Sequence, residues 1–469
     1  MYSYKRFMQL RFMICYNVAH MDSTRGEVVV IGAGPAGLFA AREISQAGYR
    51  VTLLNRDFKP GGLAEYGIYP DKKKMKDGLR GQFKQILSTP NLAYFGNVAV
   101  GKGRDLELQE LFAAGFDAVL VSTGAQYNRQ LDLPGEDLPG VYHANDLVYT
   151  FTGMPPFAGR QLELGRNAVV IGAGNVMTDI ACYLVREIKA DKVTVVARRG
   201  PMEVKFEKKE FERIAANLVL EDLDLQLKEI EPLMLSLGQD PGTGHELFYS
   251  CLPKAEPKVS DTHLYFRFLA SPTRFINDGK GRLAGVELTR NTLLMQDGET
   301  KAVATRESFV LDADTVVLAI GNRVDEGFGL PVVCGEFARN PDPQYPVEEV
   351  SYEAYDPHRN QPLPGIFLGG WARKASDGLV GKARKDGVNS AKAVLQYLQD
   401  KKPNHQKSTT WLELRLMHLA HPVVRLEDLA ALQAKEQEKA AELGKEDYQF
   451  TSNDQMLAAM GLAEEIPPQ

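Results

Sequence analysis

The sequence predicts an α/β protein with two Rossmann-like dinucleotide-binding domains, one inserted in the other. The first observation is a pair of glycine-rich turns about 140 residues apart, VVVIGAGPAG (Val28–Gly37) and AVVIGAGN (Ala168–Asn175). Each follows a β-branched apolar run and leads into a helix-like stretch. The second is a later pair of apolar runs, DAVLVSTGA (Asp117–Ala125) and DTVVLAIGN (Asp314–Asn322), each ending in glycine at a similar distance beyond its turn. A strand ending in this way lets the chain leave a doubly wound sheet beside a bound nucleotide. One such turn marks one nucleotide site, and two point to dinucleotides between which a hydride passes.

The elements follow in order. The first unit reads as strand Glu27–Ile31, turn, helix Ala36–Gln46, Gly48 and strand Arg50–Leu54. The second reads as strand Ala168–Ile171, helix Val176–Lys189 and strand Lys192–Ala197. Both have the length of a βαβ unit. After Asn322 the chain is expected to return to the first domain through GIFLGGW (Gly365–Trp371). From Thr409 onward, helical patches with dense charge (LEDLAALQAKEQEKAAEL) read as an external helical layer rather than a partner-binding helix.

Size and composition bound the function. A chain of 469 residues is too long for one core, and 44% apolar with 25% charged residues is globular usage. No apolar run approaches the roughly 18 residues that span a bilayer. A formal charge of −6 argues against sequence-independent nucleic-acid binding. The four cysteines (Cys15, Cys182, Cys251, Cys334) are scattered, which fits a reducing compartment such as the cytoplasm. Their spacing excludes a redox-active disulfide and a cysteine-ligated iron–sulfur cluster, and no metal site is expected. Residues 1–20 are basic and acid-poor and read as a dispensable extension before Met21. If they are instead a targeting segment, a mitochondrial location follows.

The two turns are chemically unequal. The first, Gly32-Ala33-Gly34-Pro35-Ala36-Gly37, is a full GxGxxG. Its glycines serve the tight turn, the approach of a pyrophosphate and the packing of helix on strand. The ribose partner expected about 20 residues on is normally acidic. Here it is Asn55, followed by Arg56, with Asp57 as a possible substitute acid. The second turn, Gly172-Ala173-Gly174-Asn175-Val176, has Met177 in place of the third glycine. Arg198 and Arg199 stand where an acid would select NAD, and adjacent guanidinium groups suit a ribose 2′-phosphate. The first turn is therefore assigned to FAD and the second to NADPH.

With these residues in place, the chain resembles the adrenodoxin reductase family of ferredoxin–NADP reductases, built on the glutathione-reductase-like double fold. The shared stretches are PGGLAEYGIYPD (Pro60–Asp71), FGNVAVG (Phe95–Gly101), LPGEDLPGV (Leu133–Val141), RRGPMEVKF (Arg198–Phe206), GGWARKASDGLV (Gly369–Val380) and DQMLAAMG (Asp454–Gly461). The resemblance implies that Gly62, Leu63 and Val100 approach FAD, with Trp371, Gly378, Leu379 and Val380 at the flavin end. It implies that Arg198, Arg199 and Glu210 contact the 2′-phosphate and ribose, and that Asn175 and Val176 form the pyrophosphate turn. Departures are Asn55 for the family's glutamate, Lys72 for a histidine after Pro-Asp, and Ser376–Asp377 for Pro-Thr. The stretch Pro232–His245 holds no Lys or Arg, so a basic ferredoxin-docking segment of vertebrate members is missing.

The expected domains are residues 21–126 with 325–400 for FAD, 127–324 for NADPH, and 401–469 as a helical extension. Hydride transfer from NADPH to FAD needs no side-chain nucleophile, because the cofactors carry the chemistry. Asp179 and Lys72 are the polar candidates for a catalytic role near the nicotinamide. The expected acceptor is a ferredoxin- or flavodoxin-type protein, met by a monomer or loose dimer. Two basic clusters could steer it: Lys72, Lys73, Lys74, Lys76 and Arg80, and Arg373, Lys374, Lys382, Arg384 and Lys385. The competing readings are an electron-input subunit resembling the glutamate synthase small subunit, whose relatives carry N-terminal cysteine clusters absent here, and a non-catalytic nucleotide binder.

Overall fold

The computed structural model describes residues 25–376, 378–401 and 408–463. The extension 1–20 and Asp377 lie outside the described residues. Strand β1 (Glu27–Ile31) runs through the first glycine turn into α1 (Pro35–Gln46) and returns as β2 (Arg50–Leu54). All of β1 is buried, as expected of a parallel strand covered on both faces. Val28 and Val30 pack with Leu38, Ala41 and Ile44 of α1, while Val29 and Ile31 face the opposite layer with Leu108 and Leu111. This alternation is the period of two of a strand between layers. Fully burying each such side chain stabilises the fold by roughly 1.5–3 kcal/mol.

Helices α2 (Leu63–Tyr66) and α3 (Lys73–Leu87), strand β3 (Leu92–Phe95), helix α4 (Leu108–Ala113) and strand β4 (Ala118–Val121) follow. Strand β1 pairs in parallel with β2 on one side and β4 on the other. The strand order thus reverses beside the glycine turn, the position at which open α/β sheets bind ligands.

From Asn128 to Gly321 the chain forms a second compact unit. Its elements are β5 (Val141–His143), α5 (Ala144–Phe151), β6 (Asn167–Ile171), α6 (Asn175–Arg186), β7 (Lys192–Val196), α7 (Leu220–Ser236) and β8 (His263–Arg267). An antiparallel group, β9 (Ala270–Asn277), β10 (Leu283–Gln296) and β11 (Glu299–Asp312), precedes β12 (Thr315–Leu318). The five-stranded sheet has the order β5-β12-β6-β7-β8, so β6 repeats the switch point of β1. The antiparallel group covers one face, packing Phe275, Val286 and Leu288 on Val169 and Ile171. Helix α6 ends at Arg186, short of the expected Lys189, because Lys189 adopts left-handed backbone (φ 53°).

The chain then rejoins the first unit, which holds the described residues up to Tyr127 and from Asn322 on. Strands β13 (Glu353–Asp356) and β14 (Gln361–Leu368) complete the six-stranded order β13-β14-β4-β1-β2-β3. Helix α8 (Val380–Gln399) packs on α1. Helices α9 (Ser408–Leu416), α10 (Leu426–Glu442) and α11 (Asn453–Ala459) end the described chain. They are more than an external layer. Leu412 and Leu416 of α9 enter the same core as Val29 and Ile31, and Val424 bridges to Gly96. Only a few apolar residues of the tail do this, so its charged composition hid the contact. No helix among the described residues is long and apolar enough to cross a membrane.

Candidate functional site

The first turn is shaped by what a side chain would strike. Gly32 has φ 104°, and a Cβ there would meet the Ser122 carbonyl oxygen at 2.5 Å. A Cβ on Gly37 would overlap the Gly32 carbonyl oxygen, so α1 packs directly on the turn. Gly34 is the opposite case: nothing lies within 4 Å of where its Cβ would be. That open backbone is what a pyrophosphate needs in order to approach. Helix α1 starts at Pro35 and has no acid in its first turn, so its N-terminal N–H groups and dipole face an anion unopposed. These features fit a dinucleotide.

Two further segments reach this turn. The Gly61 N–H donates to the Ala33 carbonyl at 2.7 Å. A Cβ on Gly62 (φ 52°) would lie 3.3 Å from the Gly34 Cα, which places Gly62 and Leu63 beside the turn. A Cβ on Gly370 would meet the Ala36 Cβ at 2.6 Å, bringing Gly370 and Trp371 to the start of α1. The Gly370 N–H donates to Asp386 Oδ2 at 2.6 Å, and Arg373 Nη2 donates to Asp386 Oδ1 at 2.5 Å. Asp386 thus fixes the Trp371 turn, a role no sequence motif announced. Gly378 (φ 75°) and Leu379 precede α8, which begins at Val380 and has no acid in its first turn. Val100 is partly buried and bridges to Leu106.

Asn55 is placed differently from the ribose contact that the sequence suggested. It is 6% exposed. Its Oδ1 accepts from the Ala33 N–H at 3.1 Å, and its Nδ2 donates to the Asp57 and Lys59 carbonyls at 2.8 and 3.0 Å. Both ends of the amide are therefore spent on backbone. Asn55 fastens the turn to the segment that follows it. Arg56 pairs with Asp57 at 3.1 Å, which neutralises the substitute acid.

The second turn repeats the pattern within its own unit. Gly172 has φ 125°, and nothing lies within 4 Å of a Cβ on Gly174. Met177 is fully buried where the first turn has its third glycine, while Val176 is 40% exposed. The Lys205 N–H donates to the Ala173 carbonyl at 2.8 Å, and the Glu207 N–H donates to Asn175 Oδ1 at 2.7 Å. The segment after β7 thus folds back along the turn. Arg198 is exposed and makes no ion pair among the described residues. Arg199 donates from Nη1 to the Thr300 carbonyl at 3.2 Å. The two arginines, adjacent in sequence, therefore differ in freedom.

The polar candidates for catalysis are engaged structurally. Asp179 pairs at 3.1 Å with Arg213, whose side chain is 7% exposed, and Glu210 lies 4.0 Å from the same guanidinium. Lys72 is partly buried and stands at the residue before α3. The basic clusters are also less free than their sequence implied. Lys73 pairs with Asp77 at 2.6 Å, Arg80 with Glu65 at 2.5 Å, Arg373 with Asp386 at 2.5 Å and Lys385 with Glu348 at 2.8 Å. Acids distant in sequence supply three of these four partners.

Comparison with known proteins agrees with this geometry. Residues 26–229 match the family model of pyridine nucleotide-disulphide oxidoreductases. Over 408 residues the chain is 30% identical to NADPH-ferredoxin reductase FprA of Mycobacterium leprae (strain TN), covering 79% of this chain and 84% of that protein. It is 27% identical over 406 residues to the mitochondrial NADPH:adrenodoxin oxidoreductase of Arabidopsis thaliana, covering 79% and 82%. The solved structure of Mycobacterium tuberculosis FprA in complex with NADPH shares the fold, with a TM-score of 0.73 at 24% identity, covering 93% of this chain and 99% of that one. The two open glycine turns and the identity to M. leprae FprA across most of both chains lead to one assignment: the chain belongs to the adrenodoxin reductase family of two-dinucleotide-binding oxidoreductases.

Proposed function

We propose that the chain is an FAD-dependent NADPH oxidoreductase that delivers electrons to a ferredoxin- or flavodoxin-type protein. The observation that carries this reading is the pair of open phosphate turns at Gly34 and Gly174, each at a sheet's switch point. In this reading the described residues up to Tyr127 and from Asn322 on, the C-terminal helices included, take FAD, and Asn128–Gly321 takes NADPH.

Bound at the first turn, FAD would supply the redox chemistry that links a two-electron hydride donor to a one-electron acceptor. The chain's own residues bind and orient. Gly32–Gly37 and the N-terminus of α1 receive one pyrophosphate, flanked by Gly62, Leu63, Gly370 and Trp371. Gly172–Val176 and the N-terminus of α6 receive the other, and Arg198 with Arg199 stands at the end of β7 for a 2′-phosphate. No side chain is required to donate or accept a proton. Asp179 stands paired with Arg213.

The test is steady-state reduction of a two-iron ferredoxin with NADPH or NADH as donor. The expected result is NADPH-dependent reduction, with Arg198→Ala lowering kcat/KM for NADPH by about tenfold or more and leaving NADH nearly unchanged. Absence of ferredoxin reduction, or equal loss with both donors, contradicts the reading.

A further inference from the structure

We propose that the C-terminal extension is a clasp on the FAD site, with Lys59 as its positioning residue. This rests on the assignment of the first glycine turn to FAD. The segment Asp57–Tyr66 forms an arch between β2 and α3, and the two sides of the arch are held by different parts of the chain. On the inner side, Gly61 is bonded to Ala33 and Gly62 stands against Gly34, the open position of the turn. The arch therefore lines the site.

On the outer side the C-terminal helices cover it. Phe58 is buried with Leu432 of α10, Met456 of α11, Met460 just past α11 and Val424 just before α10. Lys59 Nζ donates to both carboxylate oxygens of Glu436, on α10, at 2.6 and 2.7 Å. Both side chains are nearly buried, at 11% and 12% exposure. Glu436 Oε1 also accepts from the Phe450 N–H at 3.1 Å. At the far end of the arch, Glu65 is 3% exposed and is gripped by Arg80. Gln449 donates to Glu65 Oε1 at 3.4 Å, and Arg80 reaches Asp447 at 3.5 Å. The loop between α10 and α11 thus meets the arch directly at Glu65 and, through Glu436, at Lys59.

Lys59 is the joint between the two sides. Its carbonyl is held by Asn55, which also holds Ala33 of the turn, while its ammonium is held by Glu436. Removing either charge leaves the other buried without its partner. The arch then opens more often, since local opening follows the contacts that cover a segment. A cofactor bound only to the closed form is released faster.

The experiment follows free-FAD fluorescence after dilution of the holoprotein. Wild type is compared with Lys59→Met, Glu436→Gln, the double variant and Lys59→Arg. Each single variant is expected to release FAD about tenfold faster. The double variant should be no faster than the faster single, because both act on one pair. Lys59→Arg, which keeps the charge, should stay near wild type. Far-UV circular dichroism and NADPH affinity report that the rest of the protein is intact. Should either buried variant fold poorly, Gln449→Ala at the rim must speed release with an unchanged spectrum. Release at the wild-type rate in the folded variants overturns the clasp alone. A wild-type protein that holds no FAD overturns the site assignment and the clasp together.

Discussion

Asn55 shows how a single residue can leave one task for another. In place of an acid facing a ribose, its amide joins Ala33 to the Asp57 and Lys59 carbonyls, which requires a donor that a carboxylate lacks. Asn55→Asp would set an oxygen against two carbonyl oxygens in a buried place. The expected loss is about 1–3 kcal/mol of stability in urea unfolding near neutral pH. A variant as stable as wild type contradicts the assigned geometry. The glycines of both turns were legible because their spacing is local. The role of Asn55 was not, since position alone named it and its partners are backbone atoms that the sequence does not rank. Arg199 is a similar case: its partner Thr300 lies on β11, far along the chain.

At the scale of elements, strands and helices around the turns follow from β-branched runs and glycine punctuation, and their ends fall close to where the sequence put them. The tail was the harder part. Its attachment depends on single contacts, such as Val424 to Gly96 and His421 to Asp105 at 2.9 Å. Burial alone would lower the His421 pKa, but the bond to Asp105 and that to the Pro422 carbonyl raise it above 6.5. A histidine raised on folding adds stability below its unfolded pKa and loses that contribution as pH rises through its folded value. The stability difference between wild type and Asp105→Asn should therefore be largest below about pH 6 and shrink as pH rises. A thermal-melting series in which the difference grows with pH contradicts this anchor. Glu65 behaves in the opposite sense. Burial would raise its pKa, but Arg80 and Lys76 hold it below 4.5, so its contribution lasts until the pH falls below the usual carboxylate range.

For the whole molecule, the central claim is that two units built on one plan hold two different dinucleotides. The duplicated strand–turn–helix and the chain's return through Gly365–Trp371 were readable because each is a run of consecutive residues, although β14 itself begins earlier, at Gln361. The arch and its covering helices were not, because Lys59 and Glu436 are brought together only by folding. Anaerobic titration of the purified protein with NADPH, followed by visible absorbance, tests the claim most directly. The expected result is a yellow protein whose flavin band bleaches with about one equivalent of NADPH, and much less readily with NADH. A colourless protein, or a flavin that NADPH leaves oxidised, would contradict it.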